Sequence, residues 1–207
     1  MSQATEQRPS DLTRWRVAHH HRVDAEAAER AAADLLTALG VDIGTESTRE
    51  TPGRMARGLA ELLTPTDFEM TTFPNDEGYD ELVVVHDIPV RSLCEHHVLP
   101  FVGVAHVGYL PGERIIGLSK LARTVDHHAR GAQTQERLTQ RVAASLDQAL
   151  GARGVGVVIE AEHTCMTLRG ARAPGTRTVT SALLGRLRQD PATRSEFLAL
   201  TRREARS

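Results

Sequence analysis

Cys94 and Cys165 are the only two cysteines of the 207-residue chain, and both sit beside histidines. The first lies in Cys94-Glu95-His96-His97 after one apolar run, the second in His163-Thr164-Cys165 at the end of another. In a cell that keeps thiols reduced, such a pair has no disulfide to form. Cys94, His97 and Cys165 offer zinc three nitrogen or sulfur ligands instead, one fewer than a closed structural site uses, which leaves a position for water. Cys94 and His97 need a turn to face the same way, because a continued strand would point them to opposite sides. His163 and Cys165 share a face if the chain there stays extended. A pair of buried thiols is the plainer alternative.

His96 and His163 remain beside the proposed ligands, either as buried, hydrogen-bonded imidazoles or as groups that move protons near neutral pH. In Ser119-Lys120-Leu121-Ala122-Arg123, Lys120 and Arg123 share a helix face near a positive helix start, an arrangement suited to phosphate. A solvated basic face is the competing reading. Lys120 is the only lysine among 25 basic residues, which singles it out in a chain where arginine is the default. Arg169 can add a third cation. Glu136 stabilises the start of the helix it opens, yet its carboxylate also matches the paired N–H edge of guanine, with Gln135 beside it to read the carbonyl.

The elements that must position these residues follow from pattern. A polar stretch, residues 1–22, with His19, His20 and His21, reads as an unfolded tail. Residues 23–80 read as a helical appendage and a loop. A helix from Asp24 to Leu39 stops at Gly40, a second opens at Thr51-Pro52 and reaches Leu63, and residues 64–80 connect onward. The catalytic part spans residues 81–207. Strands are expected from Glu81 to Cys94 and Phe101 to Leu110. Helices capped by Ser119 and Thr134 follow, the second with Leu138, Val142, Leu146 and Leu150 along one face. Strands at 155–162 and 176–184 and a helix at 191–203 complete the chain. Two strands, two helices and two strands make an α+β fold, an antiparallel sheet with helices on one face.

Composition is that of a soluble chain, 40% hydrophobic and 25% charged, and the net charge of −2 argues against general attraction to nucleic acid or membrane. No secretory signal or membrane-spanning run is visible, so a cytoplasmic location is expected.

Four segments together resemble the GTP cyclohydrolase I family: Ser92-Leu93-Cys94-Glu95-His96-His97, Gly117-Leu118-Ser119-Lys120-Leu121-Ala122-Arg123, Gln133-Thr134-Gln135-Glu136-Arg137-Leu138-Thr139, and His163-Thr164-Cys165-Met166-Thr167-Leu168-Arg169-Gly170. They occur in the family's order, and the resemblance covers roughly residues 50–200. It implies the tunnelling fold, a four-stranded antiparallel sheet with two helices on one face (ββααββ), and a homodecamer with active sites between subunits. It implies Zn2+ on Cys94, His97 and Cys165, with His96, His163 and Ser119 as catalytic groups. Gln135 and Glu136 would bind guanine, and Lys120, Arg123, Arg169 and Arg54 the triphosphate and ribose. The implied reaction converts GTP and water to 7,8-dihydroneopterin triphosphate and formate. His127-His128 stands where relatives usually carry aromatic residues, and Gly131 where a basic residue is common. The alternatives are an interaction scaffold in which the cysteines are inert, a non-catalytic purine-nucleotide-binding paralogue with a structural zinc, or a related tunnelling-fold enzyme. Of the latter, a pterin synthase resembles an all-histidine zinc site and a nitrile reductase a zinc-free cysteine nucleophile, so neither explains Cys94, His97 and Cys165 together.

Overall fold

A computed structural model describes residues 13–17 and 23–202. The histidine run at 19–21 lies outside them. Helix α1, Ala25–Ala38, starts where the Asp24 carboxylate accepts from the Ala27 N–H at 3.0 Å, and ends before Gly40 in the left-handed region. Helix α2, Thr51–Leu63, carries its proline in the first turn and buries Pro52, Gly53 and Ala56.

Two segments differ from expectation. Residues 13–17 form strand β1, Thr13–Val17, within the stretch expected to be a tail, and the expected connecting loop contains β2, Phe68–Pro74. Both pair antiparallel, and β2 pairs in turn with β5, Arg114–Ile116, to give a small second sheet. The Thr, Pro and Asp around β2 look loop-like in sequence. Phe68, Met70 and Thr72 nevertheless turn inward at every second position, and burying them outweighs the weak local signal.

The main sheet carries the order β6-β3-β4-β7-β8. Strands β3 (Val83–Cys94), β4 (Pro100–Leu110), β7 (Gly154–His163) and β8 (Thr178–Gly185) are antiparallel neighbours. The two-residue β6, Ala132–Gln133, pairs parallel with Leu93 and Cys94. Because β6 reaches only the end of β3, Pro89 has no strand beside it on that edge among the described residues, and its missing N–H costs no ladder bond there. A bulge between Val85 and Ile88 shifts the register just before it, with Asp87 at a φ of 53°.

Helices α3 (Leu118–Ala129) and α4 (Gln135–Leu150) cover one face. Leu121, Val125, Leu138, Val142, Leu146 and Leu150 are buried there with Val90, Phe101, Val107, Val157 and Ile159. Thr134 caps α4 as expected and Gly151 closes it in the left-handed region. Ser119 is not a cap: Gly117 takes the N-cap position, so Ser119 falls in the first turn of α3. The last helix, α7 (Pro191–Leu200), follows the short α6 (Arg186–Gln189). Leu187 and Phe197 pack with Leu110 and Val158, residues one step out of phase with the main core and hence on the opposite side of the sheet. Small residues admit them: a Cβ on Gly156 would lie 2.7 Å from the Phe197 ring. The ββααββ order, with two helices on one face of an antiparallel sheet, is the α+β arrangement expected.

Candidate active site and metal centre

The chain leaves β3 at Cys94 and re-enters the sheet at Pro100 through a tight turn. Cys94 N–H donates to Leu99 O at 2.8 Å, and the amides of His97 and Val98 donate back to Cys94 O at 3.3 and 2.8 Å. Val98 takes a φ of 54°, a region costly for a β-branched residue by about 1–3 kcal/mol. The turn swings His97 round so that its Nδ1 lies 3.7 Å from the Cys94 sulfur. On the other strand the expected extended geometry ends early. β7 stops at His163, and Cys165 sits in a single helical turn, α5 (Thr164–Thr167). Register then joins the two clusters, because Phe101 on β4 pairs with His163 on β7.

The ligand atoms of Cys94, His97 and Cys165 all lie within 4.8 Å of one another. Two ligands on a tetrahedral zinc are separated by about 3.5–3.8 Å, given its usual bond lengths, so modest closing movements complete the set. Two sulfurs and an imidazole suit zinc and disfavour magnesium or calcium. The Cys165 thiol is pushed up, first by burial and then by its hydrogen bond and proximity to Cys94. A cation between the sulfurs removes that penalty. Among the described residues this is the group that can hold a metal ion, and it offers three protein ligands.

Glu95 and Arg137 are a feature that the sequence reading passed over, although both lie inside the quoted segments. The Arg137 guanidinium pairs with Glu95 Oε2, and it also donates to Gln133 Oε1 at 3.3 Å and Ala132 O at 3.1 Å. Its hydrogen bond holds the Glu95 carboxylate below its ordinary range. Glu95 Oε1 lies 3.8 Å from Nε2 of His96, which is two-thirds exposed. The start of α4 is thereby tied to the turn that carries two of the three ligands.

His163 is half-buried and lies flat on Phe101, with ring centroids 4.5 Å apart and planes 10° from parallel. Its Nε2 is 2.8 Å from Gln135 Oε1. Burial lowers its pKa, and the nearby Glu136 carboxylate opposes that shift. Glu136 is exposed in the first turn of α4, free to meet a ligand. Gln135 is not. It is 1% exposed, with its amide nitrogen bonded to Ile159 O, Thr178 O and Thr180 Oγ1, so the expected reading of a guanine carbonyl by this side chain meets an amide already in use.

Of the expected triphosphate cations, Arg169 is exposed and reaches back to Cys165 O at 3.5 Å, beside the ligand set. Ser119, Lys120 and Arg123 lie together at the start of α3, with Arg123 exposed and Lys120 half-exposed. Arg54 is exposed on α2. Within the described residues, none of these four cations forms an ion pair with an acid of the same chain.

The profile of GTP cyclohydrolase I matches residues 28–202. The GTP cyclohydrolase 1 of Streptomyces avermitilis is 55% identical over 184 residues, covering 86% of this chain and 90% of the relative. That of Mycolicibacterium vanbaalenii is 50% identical over 190 residues, 88% of this chain and 93% of the relative. That of Thermoanaerobacter pseudethanolicus is 49% identical over 183 residues, 86% and 97% respectively. Among solved structures, an archaeosine synthase QueF-Like in the apo form is 17% identical with a TM-score of 0.40, covering 50% of this chain and 93% of its own, too distant to bear on function. The chain belongs to the GTP cyclohydrolase I family.

Proposed function

We propose that this protein converts GTP and water to 7,8-dihydroneopterin triphosphate and formate, the entry step of pterin and tetrahydrofolate biosynthesis. The observation that supports the reading is the meeting of Cys94, His97 and Cys165 near two strand ends, where His163 closes β7 opposite Phe101 and the Glu136 carboxylate on α4 is near enough to act on the His163 imidazole. A structural metal in a non-catalytic paralogue would call for a fourth protein ligand; the group found has three members among the described residues.

Cys94, His97 and Cys165 would hold zinc, which when bound supplies an activated water for attack on C8 of the purine. The remaining steps belong to the protein's own groups. C8 is a poor electrophile until N7 gains a proton, and we assign that donation to His163, with His96 assisting. Burial makes protonated His163 a stronger acid than a free imidazolium, which suits a weakly basic ring nitrogen. Glu136 accepts the paired N–H groups of guanine and fixes the ring. Water adds at C8, the C8–N9 bond opens, and a second hydrolysis releases formate. The ribose then rearranges and closes on the freed amine, with Ser119 passing a proton. Lys120, Arg123, Arg169 and Arg54 hold the triphosphate, keeping one substrate in place through several intermediates.

The active unit we propose is a homodecamer with sites between subunits. In support, the main sheet ends in strands with no further partner among the described residues, and α1 and α2 leave an apolar groove lined by Leu35, Met55 and Leu59. No helix among the described residues is long and apolar enough to cross a membrane. The two free cysteines fit a reducing compartment, and we place the enzyme in the cytoplasm.

Incubation of zinc-loaded protein with GTP, followed by pterin fluorescence and formate assay, tests the reaction. Both products are expected in equal amounts; nucleotide binding with neither product would favour the non-catalytic reading.

A further inference from the structure

Gln135 is a long polar side chain buried to 1% exposure, and every polar atom of its amide has a partner inside the protein. Its amide nitrogen lies 3.0 Å from Ile159 O, 2.9 Å from Thr178 O and 3.2 Å from Thr180 Oγ1. Backbone carbonyls only accept hydrogen bonds, so the amide has one acceptable orientation: turned over, its oxygen would face two carbonyl oxygens.

The neighbouring hydroxyls enforce the same choice. Thr139 Oγ1 donates to Gln135 O at 2.7 Å, which uses its one hydrogen. Thr180 Oγ1, 2.7 Å from Thr139 Oγ1, must then be the donor of that pair. Its own lone pairs remain for the Gln135 N–H. Every donor in the ring has an acceptor, and the direction of each bond is set by the others.

Gln135 Oε1 therefore faces His163 Nε2 as an acceptor, at 2.8 Å. Nε2 must carry the hydrogen, and in a neutral imidazole the lone pair then sits on Nδ1. Phe101, stacked at 4.5 Å, holds the plane of the ring. Nδ1 makes no hydrogen bond to the described residues.

We infer that Gln135 is a positioning residue that holds His163 in the Nε2–H tautomer, so that Nδ1 is the atom through which the histidine exchanges protons with the substrate. The tautomer follows from the hydrogen-bond ring alone. Only its catalytic consequence rests on the reading of His163 as proton donor. Gln135 thus acts on the purine through His163 and not by direct contact with the guanine carbonyl.

The test is solid-state NMR of the full-length, metal-loaded protein labelled with 15N-histidine, at a mildly alkaline pH where imidazoles are neutral. The His163 signals are identified as those lost in His163→Asn. A protonated Nε2 and an unprotonated Nδ1 are expected. In Gln135→Leu the pattern should become a mixture of tautomers. Its kcat should fall roughly 100-fold, the scale of a positioned general acid, while KM for GTP stays within about threefold. Thr180→Val loosens the same ring but leaves two carbonyls orienting the amide, so it should keep the Nε2–H pattern. A protonated Nδ1 in the parent protein overturns the inference, as does an unchanged tautomer in Gln135→Leu. A raised KM with kcat intact would return Gln135 to guanine recognition. The parent spectrum decides the tautomer even if Gln135→Leu does not fold. If the parent makes no pterin, the catalytic reading fails while the spectrum still tests the lock.

Discussion

His128 makes stability depend on pH in a way that can be worked out. Its Nε2 is buried and has no hydrogen-bond partner among the described residues, and its ring meets His127 edge-on with centroids 5.2 Å apart. The cleft beside it is lined by Arg130 and Arg141 and by no carboxylate. Burial first, then the charges of His127 and Arg141, push its pKa from 6.5 down to about 4. The unfolded chain therefore binds this proton more readily than the folded one. Stability is highest above the unfolded value, is lost as pH falls from 6.5 towards about 4, and changes no further below that. From about pH 7.5 to about pH 5, the ratio of binding polynomials gives a loss of about 2 kcal/mol from this one group. His128→Phe removes the titration and keeps an aromatic ring. Chemical denaturation of both proteins at fixed concentration should show the parent losing about 2 kcal/mol more than the variant over that interval. In thermal unfolding the extra loss should appear as roughly 4–8 °C. Equal losses in the two proteins would show that His128 takes its proton without penalty, and the burial argument would be wrong.

Other perturbations separate the roles at the site. His163→Ala should keep zinc and lose pterin formation, whereas Cys165→Ala should lose both, as read by metal analysis and fluorescence; full pterin formation by either variant would defeat the proposed mechanism. Arg137→Leu frees Glu95 and the turn that carries Cys94 and His97, and should weaken zinc retention roughly 10-fold or more in competition with a chelator. Retention equal to the parent's would show that the turn holds itself. Gly103→Ala would place a Cβ 1.9 Å from Glu160 O, inside the β4–β7 ladder that aligns Phe101 with His163. It should cost more than about 4 kcal/mol or prevent folding, and a melting temperature like the parent's would contradict the close approach. Leu146→Ala, at a fully buried position of α4, should cost about 2–5 kcal/mol by denaturant unfolding.

Much of this was legible because each signal was local. The apolar face of α4 has a helical period, Thr134 is a capping residue, and Gly40 and Gly151 tolerate the left-handed region that ends a helix. Strand β2 was missed for the opposite reason: its composition resembles a loop, and only its pairing with β1 and β5 makes it a strand. The Ser119 cap failed because the chain bends two residues earlier, at Gly117, and a capping side chain acts only where the backbone turns.

At the site, the candidate ligands and bases could be read from residue type, since sulfur, imidazole and carboxylate chemistry belongs to the side chain wherever it stands. Sequence alone thereby supplied the candidate donors Cys94, His97 and Cys165, the imidazoles of His96 and His163, and the two-strand, two-helix, two-strand order. Tertiary structure decided which of these groups meet and what each is left free to do. The β4–β7 register brings the two cysteine clusters together. The exposure of Glu136 and the burial of Gln135, adjacent in sequence, give one an open carboxylate and the other an amide committed to His163. Hydrogen-bonding capacity is a property of the residue, but its use is settled by the partners that folding places within 3 Å or so.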